Sequence, residues 1–139
     1  MRLAIILVIL FIIQTYSQDP EPQNEFDVSE SPITFTCKTL STEQPGQSDF
    51  TISGDTVSFI LFYVDITCND YIYAFEREGK SLIVRRITKG AEGCDKEIEQ
   101  LYGVEGKMIS VPSGKYLFEL ESLIGDTKTT IFREVIKVK

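Results

Sequence analysis

Residues 56–67 read TVSFILFYVDIT, and their interpretation decides the fold class. The middle of this run is apolar on both parities, which describes a central strand covered on both faces or one carrying a bulge. Working outward, β-branched and aromatic runs recur between turn signals, a pattern of strands rather than helices. Downstream, residues 71–76 (YIYAFE) and 81–89 (SLIVRRITK) flank Arg77, Glu78, Gly79 and Lys80, reading as a β-hairpin with glycine where a positive φ is wanted. After a Gly-rich connection at 90–94, residues 97–102 and 107–111 read as two strands separated by Gly103 and Gly106. A helix over 95–102 competes there, because Ile98, Leu101 and Tyr102 fall at i, i+3 and i+4.

Residues 112–115 then turn the chain into 116–121 (YLFELE), where Tyr116, Phe118 and Leu120 share one side and Leu117, Glu119 and Glu121 the other. The first side is expected to be buried and the second largely wet. Gly125 and Asp126 turn into a last strand over about 129–138, and upstream residues 33–40 (ITFTCKTL) form another. Seven or eight short strands with regular turns predict an all-β fold, an antiparallel β-sandwich over residues 32–139.

The N-terminus speaks to compartment. Arg2 precedes an eleven-residue apolar run, LAIILVILFII at 3–13, followed by polar residues. A spanning helix needs about 20 apolar residues, so the run suits the core of a secretory signal, with Thr15 and Ser17 at positions −3 and −1 if cleavage precedes Gln18. The expectation is a signal peptide over 1–17, with an uncleaved anchor as the rival, a secreted or cell-envelope location, and no membrane insertion after cleavage. Residues 18–31 (QDPEPQNEFDVSES) carry five acidic residues and few large apolar ones, which reads as an acidic flexible leader; a docking tail for a basic partner is the alternative.

The chain carries a formal charge of −7, no histidine and no tryptophan. Without histidine, Ser-His-Asp and Cys-His nucleophile pairs, His-ligated zinc and imidazole acid-base chemistry are excluded. The acidic balance argues against a nucleic-acid partner. The three cysteines are Cys37, Cys68 and Cys94, none in a CxxC pair, so structural zinc is not expected. In an oxidising compartment one disulfide is expected, and Cys68 with Cys94 is the preferred pair, because the intervening hairpin returns the chain to the same end. Cys37 is read as a small buried hydrophobe, with a homodimer linked through Cys37 as the alternative.

Residues 111–120 (VPSGKYLFEL) resemble a recurring segment of secreted immunoglobulin-like and fibronectin-type β-sandwiches, in which a Pro or Gly turn feeds a strand whose first tyrosine packs at the corner between sheets. The resemblance implies that role for Tyr116 and the turn for Gly114. The chain departs from the immunoglobulin pattern in having no tryptophan, and Phe118 where a cysteine would follow Tyr116 by two residues. The resemblance implies a fold and no specific activity.

Carboxylates are the only plentiful catalytic type, and Asp65, Asp70, Asp95, Glu97 and Glu99 are the candidates for an acid-base pair. Solvated or turn-forming acids are the default in so acidic a chain. Asp65 interrupts an apolar strand and, with Asn69 and Asp70, offers oxygen ligands for calcium; Asx-turn bonding is the preferred reading. Arg85, Arg86 and Lys89 form a basic cluster read as a solvated edge, although adjacent strand residues point to opposite faces. Tyr71 and Tyr73, if outward, would form with Arg85 and Arg86 a contact surface; core packing is the alternative, given Phe75 on the same parity. The resulting expectation is a noncatalytic binding or structural module with no cofactor and an unidentified protein or cell-surface partner. An exported proteinase-inhibitor-like domain, presenting a loop over 90–96, and a small carboxylate hydrolase are the alternatives.

Overall fold

A computed structural model of the chain describes residues 32–40 and 46–139. The expected signal peptide (1–17) and acidic leader (18–31) lie outside the described residues. Eight strands run β1 (Thr34–Leu40), β2 (Asp49–Ser53), β3 (Thr56–Cys68), β4 (Tyr71–Glu78), β5 (Ser81–Thr88), β6 (Cys94–Ile109), β7 (Gly114–Ile124) and β8 (Thr127–Val138). They form two four-stranded sheets, ordered β1-β6-β3-β2 and β4-β5-β7-β8, which pack face to face as an all-β sandwich.

Alternation builds the core. Val57, Phe59, Leu61 and Tyr63 of β3 point inward with Tyr102, Val104 and Met108 of β6, and meet Leu82, Val84, Tyr116, Phe118, Leu120, Ile136 and Val138 from the other sheet. Aromatic rings bridge the sheets: Phe59 lies 5.1 Å from Phe118, and Phe35 stacks on Phe75 at 5.3 Å. The β4-β5 hairpin forms as expected, with Gly79 at φ 57° supplying the left-handed turn residue.

Several expectations are corrected. Residues 97–102 and 107–109 belong to one 16-residue strand, Cys94–Ile109, with 110–111 beyond its end, because Gly103 and Gly106 stay in register with β1 and β3. Gly106 is where Phe59 crosses: a Cβ there would stand 2.1 Å from the ring, so glycine is required by packing and not by a turn. The competing helix over 95–102 is strand. The β3 run is covered on its inner face only, since Ile60 and Val64 are exposed outward; the irregularity expected of it falls at Ile66/Thr67, opposite extra residues of β6.

Nor are the sheets antiparallel throughout. β5 pairs in parallel with β7, because β6 carries the chain across to the opposite sheet and back, so β7 restarts in the direction of β5. The Glu119/Glu121 side of β7, expected to be wet, is buried: Arg133 reaches Glu119 at 2.6 Å, and Arg85 and Lys128 reach Glu121 at 2.8 and 3.1 Å.

Candidate functional site

The densest polar chemistry lies between the sheets, at the end closed by the disulfide. There β3 leaves its sheet through Asn69 and Asp70 into β4, and β5 returns through the 3-10 turn Ala91–Gly93 into β6. Cys68 and Cys94 stand opposite each other in the β3-β6 ladder and are bonded, 26 residues apart. The Asn69 N–H donates to the Gly93 carbonyl at 2.8 Å, which stitches the two connections together.

Arg86 is fully buried in this end. Its position follows from period-two alternation: Leu82, Val84 and Arg86 share the inner parity of β5. Its Nη1 donates to Asp65 Oδ2 at 2.5 Å, and the Ser122 hydroxyl donates to the same oxygen at 2.7 Å. The other Asp65 oxygen accepts the Ile66 N–H at 2.8 Å. One carboxylate therefore ties β3 of one sheet to β5 and β7 of the other.

Tyrosines sheath the guanidinium, its carbon lying 4.1 Å from the Tyr102 ring centre and 4.6 Å from that of Tyr71. Such placement attracts the cation to the ring faces and excludes water. Tyr63 stacks on Tyr102 at 5.6 Å, and the Tyr63 and Tyr73 hydroxyls share a hydrogen bond at 3.0 Å. Burial is the first cause that pushes both phenols above their ordinary range, so they act as neutral hydrogen-bonding groups. The Tyr71 hydroxyl pairs with Thr39 Oγ1 at 3.1 Å, linking β4 to β1. Arg86 Nε and Nη2, Thr67 Oγ1 and Thr88 Oγ1 are buried without a hydrogen-bond partner among the described residues, so the site carries a desolvation cost.

The expected contact surface of Tyr71, Tyr73, Arg85 and Arg86 is not assembled as one surface. Tyr71 and Tyr73 are half-buried against the core, Arg86 lies inside, and Arg85 lies on the outer face of the sheet with Glu76 and Glu121. The solvated edge expected for the arginines is corrected by the same parity. Nor do Asp65, Asn69 and Asp70 converge as oxygen ligands: Asp65 turns inward to Arg86, while Asp70 pairs with Lys89 at 3.3 Å. Among the described residues no cluster of three or more His, Cys, Asp or Glu could hold a metal ion. Cys37 is half-buried on the core face of β1, and burial pushes its thiol up to about 12.

The Asp65-Arg86-Ser122 link was missed in the sequence although half of it was legible. Asp65 follows Tyr63, and Arg86 follows Val84, on inward parities, so each signalled a buried charge in need of a partner. Exposed apolar side chains are dispersed: Ile60 and Val64 sit on the outer face of one sheet, Ile72 and Val135 on the other. Among the described residues no helix is long and apolar enough to cross a membrane.

This geometry defines a disulfide-closed, mixed-sheet β-sandwich with an internal ion pair. Comparison with protein-family models, curated proteins and solved structures finds no match to the chain.

Proposed function

We propose that the chain is an exported, noncatalytic binding or structural module, an immunoglobulin-like sandwich in the loose sense. The observation that carries the reading is how its covered carboxylates are used: half-buried Asp65 and buried Glu119 and Glu121 are each held by a cation, which removes them from acid-base work. A hydrolase would need two carboxyl groups flanking a cleft. The disulfide supports an oxidising compartment. The Tyr116 hydroxyl, which donates to the Pro112 carbonyl at 2.9 Å, supports the resemblance to corner tyrosines of immunoglobulin-like sandwiches, while the parallel β5-β7 pair is a departure from them.

The test has two arms. Labelled protein is titrated onto cells and extracellular matrix, where saturable binding lost on unfolding is expected. Glycoside, ester and peptide substrates are assayed in parallel; turnover that disappears in Asp65→Asn or Glu121→Gln would overturn the reading. A proteinase-inhibitor reading draws on one observation, that the exposed Ala91–Gly93 turn is braced by the disulfide and by the Asn69–Gly93 bond. Inhibition of any member of a protease panel at stoichiometric ratio would favour it.

A further inference from the structure

At the end of the sandwich opposite the disulfide, a chain of formal charge −7 gathers cations along the rim of one sheet. That sheet runs β4-β5-β7-β8, and its rim carries Arg77 and Lys80 at the β4-β5 hairpin tip, Lys115 at the start of β7 and Lys137 at the end of β8. The register sets them level. Ser81 lies opposite Leu117 in the parallel β5-β7 pair, so Lys115, two residues earlier, stands beside the hairpin tip, and Lys137 is its direct cross-strand partner on β8. At a strand spacing of about 4.8 Å, the row from β5 to β8 covers roughly 10 Å.

Two of these side chains are held in place. Lys80 Nζ lies 4.9 Å from the centre of the Tyr116 ring, and close enough to Gly114 that a Cβ there would stand 3.1 Å from it. Arg77 lies over the same ring at 5.9 Å, and its Nε donates to the Gly79 carbonyl at 3.2 Å. The lysine charge is not neutralised within the sandwich. Among the described residues Lys80, Lys115 and Lys137 form no ion pair, while Glu78 is turned to Arg85, Glu119 to Arg133 and Asp55 to the Thr56 hydroxyl. Like charges directly opposite each other destabilise a ladder, so the Lys115–Lys137 pair is a cost to the fold that an external anion offsets.

We propose that the rim formed by Lys80, Lys115 and Lys137, with Arg77 beside them, binds a linear sulfated polysaccharide; this rests on the exported-module reading and gives it a partner class. A chain with sulfate groups repeating along it sets successive anions against a row of cations, whereas a compact anion meets only one or two of them. The aromatic ring at the rim offers no stacking platform for a single-stranded nucleic acid, since Tyr116 is 1% exposed beneath Lys80 and Arg77 and its hydroxyl is bonded to the Pro112 carbonyl. The short row also falls below the roughly 6–10 phosphate contacts of a strong duplex binder. Charges farther off than about 8 Å are largely screened at physiological salt, so the row and not the acidic total decides the contact.

The experiment is binding of the full chain to immobilised sulfated dextran, with uncharged dextran as the blank. Retention on the sulfated matrix alone is expected, with affinity falling at least about tenfold between about 50 and 200 mM salt. Changing Lys80, Lys115 and Lys137 together to Gln should lower the affinity at the lower salt by roughly tenfold or more, with no fall in melting temperature, because a repulsion is relieved. Lys137→Gln alone should lower it about threefold. A control with Lys38, Lys96 and Lys107 of the other sheet changed to Gln loses the same charge and should stay within about twofold of the parent chain. Equal losses in the rim and control variants would overturn the proposal, as would tighter binding to a single-stranded oligonucleotide or to phosphatidylserine vesicles than to sulfated dextran. A parent chain that sulfated dextran does not retain, yet that binds cells saturably, would overturn it and leave the module reading standing.

Discussion

Removing the Asp65 carboxylate should strand Arg86 inside the sandwich. Arg86 has no solvent exposure, while the Asp65 side chain keeps 14% of its own, so the two partners are not equivalent. In Asp65→Ala the guanidinium loses its one anionic partner among the described residues, where Nε and Nη2 also have no acceptors, and keeps the faces of Tyr71 and Tyr102 as compensation. Breaking a buried pair from one side costs about 3–5 kcal/mol, and two cation-ring contacts return only part of that. A sandwich of this size has a total stability of about 5–15 kcal/mol, so the melting temperature should fall by roughly 15–20 °C. Arg86→Met leaves a carboxylate that still accepts from Ser122 and Ile66 and can turn toward water, so it should cost less. The double substitution, Asp65→Ala with Arg86→Met, should recover most of the loss. Urea unfolding followed by tyrosine fluorescence, in a chain without tryptophan, measures the full cycle. A cost under about 1 kcal/mol for Asp65→Ala, or a double variant no more stable than it, would refute the reasoning.

Four further outcomes follow from the same geometry. Cys94→Ser opens the loop between residues 68 and 94 and should cost about 3 kcal/mol, read as a lower urea midpoint with a steeper slope, because the unfolded chain without the cross-link exposes more surface. Gly106→Ala drives a methyl group into the Phe59 ring and should cost about 1–3 kcal/mol; a neutral result would mean that the β3-β6 register is wrong. For Glu121, burial alone raises the carboxyl pKa, but hydrogen bonds from Arg85 and Lys128 outweigh it and hold the group below the ordinary carboxylate value. With the folded-state pKa depressed, this stabilisation is complete above about pH 4.5 and is lost as pH falls through the folded value, so Glu121→Gln should flatten the acid limb of the stability profile. Cys37, with its thiol pushed up to about 12, should alkylate on the order of a thousandfold more slowly at pH 8 in the folded chain than after unfolding; a covalent dimer on non-reducing electrophoresis would contradict its core-facing placement.

How far the sequence could be read depended on whether a feature is local. Period-two alternation along 57–63 and 116–120 places side chains on a face without reference to any other strand, and the inward residues of both stretches are buried as that pattern requires. The hairpin over 71–89 carries its own turn residue, and the cysteine pairing follows from a chain that goes out and returns. The candidate site was less legible. Whether Glu119 and Glu121 are wet or covered depends on Arg133, Arg85 and Lys128, which other strands deliver.

By itself, the sequence determined that these residues form strands, which side of most strands faces the core, and that histidine-dependent chemistry is excluded. Only the tertiary structure decided which strands are neighbours: that β6 continues through its glycines, that β5 lies parallel to β7, and that Asp65 meets Arg86 and Ser122, 21 and 57 residues away. The physical reason is that alternation is written in consecutive residues, whereas strand pairing and charge desolvation are set by groups that meet only after the sheets close.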